Sequence, residues 1–146
     1  MEVLIGYEYS SFKKFEDNTV SNNFKNAYQS FLKMKNDINT IVIDGNNYNL
    51  SKTKTIIKNI KPYRITHLRI NGKIFYKTIF HGKDINVVVD GSISSGYGGQ
   101  GPTEFMSIIK ILGINEDEME KYIHGTHRGE DEECQMFTVV LIDNIE

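Results

Sequence analysis

Residues 63–80, YRITHLRINGKIFYKTIF, decide the fold of this chain. Two runs rich in β-branched and aromatic residues, Tyr63–Ile70 and Lys73–Phe80, are separated by Asn71 and Gly72 alone. Asn-Gly between such runs is the strongest short-range signal for a β-hairpin with a type I′ turn, because both central residues of that turn need a positive φ. The middle of the chain is therefore predicted to pair as antiparallel strands.

The flanking segments predict one α+β domain over residues 1–146. A stripe of apolar residues at helical spacing predicts a helix from an N-cap at Ser21 to about Asp37. Two further helices are expected at 102–112 and from Asn115 to His124. Strands are predicted at Glu2–Tyr9, Ile38–Asp44, Ile85–Asp90 and Gln135–Ile142, and 46–62 is predicted as a loop with a short helix or strand at Thr55–Ile60. The result is a mostly antiparallel sheet of five to six strands with three helices.

Composition excludes several classes of protein. With 39% hydrophobic and 11% aromatic residues, the 146 residues can bury a core, so the chain is not disordered. A net charge of −2 argues against binding to a nucleic acid polymer, and no apolar run is long enough to cross a membrane. The opening MEVLIGYEYS lacks the features of a signal peptide, and Cys134 is the only cysteine. We therefore expect a cytoplasmic protein.

Glycines are concentrated just before the second predicted helix. Positions 96, 98, 99 and 101 are all glycine. Glycines let the backbone approach a ligand closely, and the unbonded N–H groups and positive dipole at the start of a helix favour an anion such as phosphate. The sequence therefore predicts a phosphate site formed by Tyr97, Gly98, Gly99, Gln100, Gly101 and Thr103. In this site Tyr97 would contact the base or ribose, and Thr103 would add a hydroxyl.

Two known glycine motifs match this segment in letters but not in context. Gly96–Gly101 reads G-x-G-x-x-G, but the dinucleotide fingerprint needs a strand directly before the first glycine within a βαβ unit. The P-loop needs a lysine where this chain has Pro102, so phosphoryl transfer is not indicated. The alternative is that the glycines only allow a tight strand-to-helix turn to pack against the sheet.

The segment GYGGQGPTEFMSIIKIL, residues 96–112, resembles the GYGGSGP-plus-amphipathic-helix segment of a family of small uncharacterised proteins from phages and plasmids. Members usually carry Trp or Phe before the Gly-Tyr pair, where this chain has Ser95. Small phage proteins of this size include immune-evasion sponges, such as the Thoeris anti-defence family, that bind cyclic nucleotide or cyclic ADP-ribose signals without cleaving them. The abundance of Ile, Asn and Lys indicates an AT-rich genome, which agrees with a phage origin.

Three basic residues complete the predicted ligand site. Arg128 and His127 follow the third predicted helix, and a guanidinium can bind phosphate bidentately or stack on adenine. Arg69 lies near the end of the first hairpin strand. The chain has three arginines against fourteen lysines, so the arginines that remain are expected to serve a geometric purpose. The alternative for Arg128 is an ordinary surface position, the alternative for His127 is a solvated loop position, and Arg69 could face either side of its strand.

Metal and catalytic chemistry are poorly indicated. His124, His127 and Cys134 could suggest zinc, but a structural zinc site needs four ligands in paired spacing. The sequence His124-Gly125-Thr126 supplies one H-x-T element, whereas two-histidine phosphoesterases need two, one for each proton transfer. We therefore expect no metal, no cofactor and no catalytic residue.

These observations predict a non-catalytic protein that binds and sequesters a small phosphate-bearing nucleotide signal, as phage-encoded immune evasion in the host cytoplasm. A homo-oligomer is expected, because a small domain gains a deep pocket by sharing it across a two-fold interface. The alternative is an anti-CRISPR-like inhibitor that binds a host defence complex through the acidic residues 130–133 and an exposed strand edge. A nucleotide-processing enzyme would need a metal or two acid/base residues.

Overall fold

A computed structural model describes residues 1–11, 22–125 and 132–145. Six strands and four helices occur in this part of the chain, followed by a short 3₁₀ helix, and the α+β prediction is confirmed. Their order is β1 (Val3–Ser11), α1 (Asn22–Met34), β2 (Thr40–Ile43), α2 (Leu50–Ile60), β3 (Arg64–Ile70), β4 (Tyr76–His81), β5 (Asn86–Asp90), α3 (Gln100–Ile111), α4 (Glu116–Ile123), β6 (Glu132–Leu141) and the 3₁₀ helix (Ile142–Asn144). The predictions for Ser21, His127 and Arg128 lie outside the described residues.

The strands form one sheet in the order β1-β6-β3-β4-β5-β2. All neighbouring pairs are antiparallel except β2 and β5, which are parallel. The antiparallel pairing predicted for the middle of the chain is confirmed, and β3, β4 and β5 form a meander. Strand β6 returns to the middle of the sheet and lies between β1 and β3, where Thr138 is the register partner of both Gly6 and Thr66.

The hairpin is in the predicted place, but its turn differs from the prediction. Arg69 pairs with Tyr76, and the Ile70 N–H donates to the Phe75 carbonyl, so the loop is longer than Asn71-Gly72. Gly72 has φ +79°, whereas Asn71 is not among the residues with positive φ. A type I′ turn requires positive φ at both central residues, so that prediction is wrong.

Two helix predictions also need correction. Helix α2 occupies Leu50–Ile60, whereas the prediction was a loop over 46–62 with a short helix or strand at Thr55–Ile60. The Asn49 side chain caps this helix by accepting a hydrogen bond from the Lys52 N–H at 3.0 Å. With α2, the described part of the chain has four helices, whereas three were predicted. Helix α3 begins at Gln100, so Pro102 is its third residue and not its first.

The sheet separates one large hydrophobic cluster from two smaller ones. Helices α2, α3 and α4 pack on one face, where Ile57, Phe105 and Met119 belong to the larger cluster. Helix α1 packs on the other face, where Phe24 contacts a smaller cluster that includes Leu68. We call these the three-helix face and the α1 face. Among the described helices, none has the length and apolar composition that crossing a membrane requires.

Candidate functional site: the glycine loop and the polar cluster beneath it

The connection from β5 to α3 is buried at its start and exposed at its end. We call residues 94–101 the glycine loop. Ser94, Ser95 and Gly96 are buried, and the Gly96 N–H donates to the Ile123 carbonyl at the end of α4, at 2.7 Å. From Tyr97 to Gln100 the loop is exposed. The loop therefore has a fixed inner half and an open outer half that leads into α3.

Arg69 fixes the inner half from below. Its side chain is only 2% exposed. Nε donates to Gln135 Oε1 at 2.6 Å, and Nη1 donates to Ser95 Oγ at 2.9 Å and to the Tyr122 carbonyl at 3.1 Å. The guanidinium thus ties β6, the glycine loop and α4 together, and it places a permanent positive charge under the loop backbone.

His67 extends this polar cluster along β3. Its Nε2 lies 2.8 Å from Ser95 Oγ and its Nδ1 lies 2.7 Å from Thr78 Oγ1. Burial, together with the Arg69 charge, holds the pKa of His67 well below its usual value of 6.5, so the ring is neutral. One assignment of donors fits these three contacts: Arg69 donates to Ser95, Ser95 donates to His67 Nε2, and His67 Nδ1–H donates to Thr78.

Three of the four loop glycines make room for neighbouring side chains. A Cβ at Gly96 would lie 2.9 Å from the Arg69 guanidinium, and φ at Gly96 is +90°. A Cβ at Gly99 would lie 2.8 Å from the Tyr97 ring, and one at Gly101 would meet the Ser94 hydroxyl. Gly98 is different, because a Cβ there has no atom within 4 Å. Packing therefore accounts for three glycines and leaves Gly98 facing open space.

The outer half of the loop presents backbone donors. In the described part of the chain, the N–H groups of Gly98, Gly99, Gln100 and Gly101 donate to no other atom, whereas the Thr103 N–H bonds to the Gly99 carbonyl as part of α3. These four amides stand at the positive end of a helix of twelve residues. They are the groups that a phosphate could accept hydrogen bonds from.

Side chains around these amides are already engaged. Tyr97 is 42% exposed, and its hydroxyl shares a hydrogen bond of 2.7 Å with Ser94. Thr103 Oγ1 donates to the Gly99 carbonyl at 2.7 Å. Glu104 accepts a hydrogen bond from the Tyr48 hydroxyl at 2.6 Å and another from Gln100 Nε2 at 2.7 Å. Burial and the hydrogen bond to Glu104 raise the pKa of Tyr48 above its usual value. The backbone, with the Tyr97 ring, is therefore what the loop offers to a ligand.

The structure brings most of the predicted site together. Residues 97–101 and Thr103 form one surface, but Arg69 lies behind Gly96 and does not reach that surface. Sequence reasoning missed His67, Ser95 and Gln135, which join Arg69 beneath the loop. The alternation of β3 is the one signal that could have placed His67 and Arg69 on the same face. Of the zinc candidates, the two that the structure describes lie on opposite faces of the sheet, because Cys134 packs on the α1 face while His124 follows α4 on the three-helix face.

The cavities near Arg64, near Lys54 and near Ile60 contain no residue of the glycine loop. Comparison with protein-family models, with curated proteins and with solved structures finds no match to this chain.

Proposed function

We propose that this protein binds a small phosphate-bearing nucleotide at the outer half of the glycine loop and sequesters it unchanged. One observation carries the proposal. Four successive N–H groups, from Gly98 to Gly101, stand at the exposed start of α3 and have no acceptor in the described part of the chain. A phosphate supplies the oxygen atoms that such donors lack.

The charge beneath the loop supports an anionic ligand. The Arg69 guanidinium lies within 2.9 Å of the position of a Cβ at Gly96, and it is shielded from solvent. A charge in a poorly hydrated interior acts over a longer range than one in water. Its field adds to the positive end of the helix dipole, so both favour a negative group over the loop.

Burial of the reactive side chains favours sequestration over turnover. Ser95 and His67, which form a hydroxyl–imidazole pair beneath the outer half of the loop, are 2% and 1% exposed. A ligand held by the outer amides cannot touch them, and the lowered pKa makes His67 a weak base. The bound nucleotide is therefore released with its bonds intact.

The biological setting of the proposal comes from the resemblance at residues 96–112. A protein that holds a cyclic nucleotide or a cyclic ADP-ribose would remove the signal of a host defence system, as phage sponges do. We place this role in the cytoplasm of the infected cell. A homo-oligomer would deepen the shallow loop surface into a shared pocket.

A thermal-shift panel of cyclic nucleotides and cyclic ADP-ribose isomers tests the proposal. A ligand present at a hundred times its dissociation constant stabilises the folded state by about 2.7 kcal/mol, which a melting curve detects. The complex is then heated, and the released ligand is identified by mass spectrometry. A shift with recovery of the intact ligand supports sequestration, whereas a new product or the absence of any shift contradicts it.

A matched pair of variants locates the binding. Gly98→Leu and Gly45→Leu each place a bulky side chain where a Cβ has no atom within 4 Å, one in the glycine loop and one in the turn after β2. Gly98→Leu is expected to abolish the thermal shift, because the side chain covers the amides. Gly45→Leu should leave it unchanged.

A second candidate function rests on the edge of the sheet. Strand β1 lies at one edge of the sheet, and no described strand pairs with its outer side. The backbone N–H and C=O groups of Val3 and Ile5 point to that outer side. The opposite edge is protected, since the Thr40 N–H donates to the Asp37 carbonyl and Asn47 Nδ2 donates to the Val42 carbonyl. An inhibitor that binds a host protein could add β1 to a partner sheet. Inhibition that survives in Gly98→Leu would favour this candidate.

A further inference from the structure

A polar cleft on the α1 face has the features of a second binding site. Its volume is about 440 Å³, and its walls come from the first turns of α1 and from β1, β3 and β6. Ligand pockets commonly span roughly 300–1,000 Å³, so the cleft is large enough for a small metabolite. The lining residues are Gly6, Tyr7, Asn23, Asn26, Ala27, Arg64, Thr66, Met136 and Thr138.

The charge of the cleft is positive. Arg64 lines it, and no carboxylate is among the lining residues. In the described chain, Arg64 makes neither a hydrogen bond nor an ion pair, and the Asn26 and Thr138 side chains likewise have no hydrogen-bond partner. The cleft therefore holds a guanidinium, an amide and a hydroxyl that can all bind a ligand.

The start of α1 adds to this positive field. Asn23 and Asn26 belong to the first turns of this thirteen-residue helix and line the cleft. The amide groups at the start of a helix carry partial positive charge and favour an anion. The helix end and the Arg64 guanidinium thus act on the same cleft.

Gly6 keeps the floor of the cleft open. It lies in the middle of β1, where glycine is unfavourable because it lacks a side chain to pack and costs conformational entropy. Its φ is not positive, so the backbone does not require glycine. A Cβ at Gly6 would approach Thr138 Oγ1 to 3.1 Å. A larger side chain at this position would fill the space above Thr138 and Thr66.

We propose that this cleft binds a small metabolite through a phosphate or carboxylate group held by Arg64. A guanidinium pairs with either group through two parallel hydrogen bonds, and Asn26 and Thr138 donate to the oxygens that remain. The cleft lies on the opposite face of the sheet from the glycine loop, so this site stands or falls independently of the proposed function.

Isothermal titration calorimetry at low ionic strength tests the site, with inorganic pyrophosphate and citrate as probes for the two groups. We expect saturable binding of at least one probe to the wild-type chain. Arg64→Gln should raise the dissociation constant by about tenfold or more, as expected for loss of a charged hydrogen-bonding partner. Arg64→Lys keeps the charge but loses the paired geometry, so its affinity should lie between those of the wild type and Arg64→Gln.

Two further variants separate the cleft from a general effect of charge. Gly6→Val keeps every charge but fills the floor, and it should weaken binding as strongly as Arg64→Gln. Lys73→Gln removes an exposed positive charge at the β3–β4 turn, and it should leave binding unchanged. The proposal is overturned if neither probe binds, or if Arg64→Gln and the wild type give the same isotherm. It is also overturned if Gly6→Val binds like the wild type, or if Lys73→Gln loses as much affinity as Arg64→Gln.

Discussion

Strand β3 carries an arginine at its first and at its penultimate position, and the two side chains differ in burial, in partners and in the face of the sheet that they occupy. Arg69 is buried on the three-helix face and donates to Gln135, Ser95 and the Tyr122 carbonyl. Arg64 is exposed on the α1 face and has no hydrogen-bond or ion-pair partner in the described chain. Because they are an odd number of residues apart on one strand, the two side chains point to opposite faces of the sheet.

The comparison shows that residue type alone does not identify a ligand contact. Arg69, which the sequence suggested as a ligand residue, holds the glycine loop in place from inside. Arg64 was not assigned to the ligand site, yet its guanidinium is the one that a solute can reach. Each arginine also lies near a histidine, His67 for Arg69 and His81 for Arg64, and lowers its pKa.

Removing the buried guanidinium should have the largest effect. Arg69→Met removes the guanidinium that donates to Gln135 Oε1, Ser95 Oγ and the Tyr122 carbonyl. This loss should lower the free energy of unfolding by about 3 kcal/mol or more. Arg64→Met is the control, and it should change stability by less than about 0.5 kcal/mol because the side chain is exposed and unpaired. Urea denaturation measures both. Equal losses in the two variants would contradict the contrast between the arginines.

Acidification should destabilise the fold through the two histidines. The pKa of His67 is lowered well below 6.5 and that of His81 to about 4, in both cases mainly by burial. The unfolded state therefore binds more protons below pH 6.5, so stability is complete above pH 6.5 and falls as the pH decreases. The slope approaches about 1.4 kcal/mol per pH unit for each histidine.

Urea denaturation between pH 7.5 and pH 5 measures this slope. His81→Gln should reduce it by about half, because one of the two titrating groups is gone. A stability that does not change over this range would show that the histidines are not neutral and buried as described.

The loop glycines should separate into two kinds. Gly96→Ala places a Cβ against the Arg69 guanidinium at a positive φ, and we expect a loss of about 1–3 kcal/mol. Gly98→Ala meets open space and should cost less than about 0.5 kcal/mol. Thermal or urea denaturation of the two variants gives the comparison. A large cost at Gly98 would mean that its surroundings are occupied.

The smallest effect concerns the exposed arginine and its histidine. Arg64→Gln removes a positive charge near His81, so the pKa of His81 should rise from about 4. It should stay below 6.5, because burial is the larger cause of the shift. Proton NMR of the imidazole ring follows the titration. An unchanged or lower pKa would show that Arg64 does not act on this ring.

The fold was largely readable from local patterns, and its errors have physical causes. The runs of β-branched and aromatic residues and the Asn-Gly pair located the hairpin, and the apolar stripe located α1. Helix α2 was left undecided between a short helix and a strand because Ile56, Ile57 and Ile60 are β-branched and favour strands as much as helices; packing against the sheet decides their conformation.

The site was predictable only in its local part. The glycines and the helix that follows are adjacent in sequence, so their pattern indicated a binding loop. Two side-chain partners of Arg69, Ser95 and Gln135, are 26 and 66 residues away in the chain. The tertiary fold decides which face of β3 is covered and which oxygen atoms accept hydrogen bonds from Arg69. The burial of Arg69 could therefore not be predicted from its neighbours in sequence.

Amide chemical shifts of the isotopically labelled full chain, followed during titration with the nucleotides of the thermal-shift panel, test the central claim most directly. A ligand held as proposed should move the resonances of Gly98, Gly99, Gln100 and Gly101 in a saturable manner, with the Gly45 amide as an internal reference that stays still. If those four resonances do not move while a nucleotide binds, the phosphate is held elsewhere and the glycine loop is a packing device.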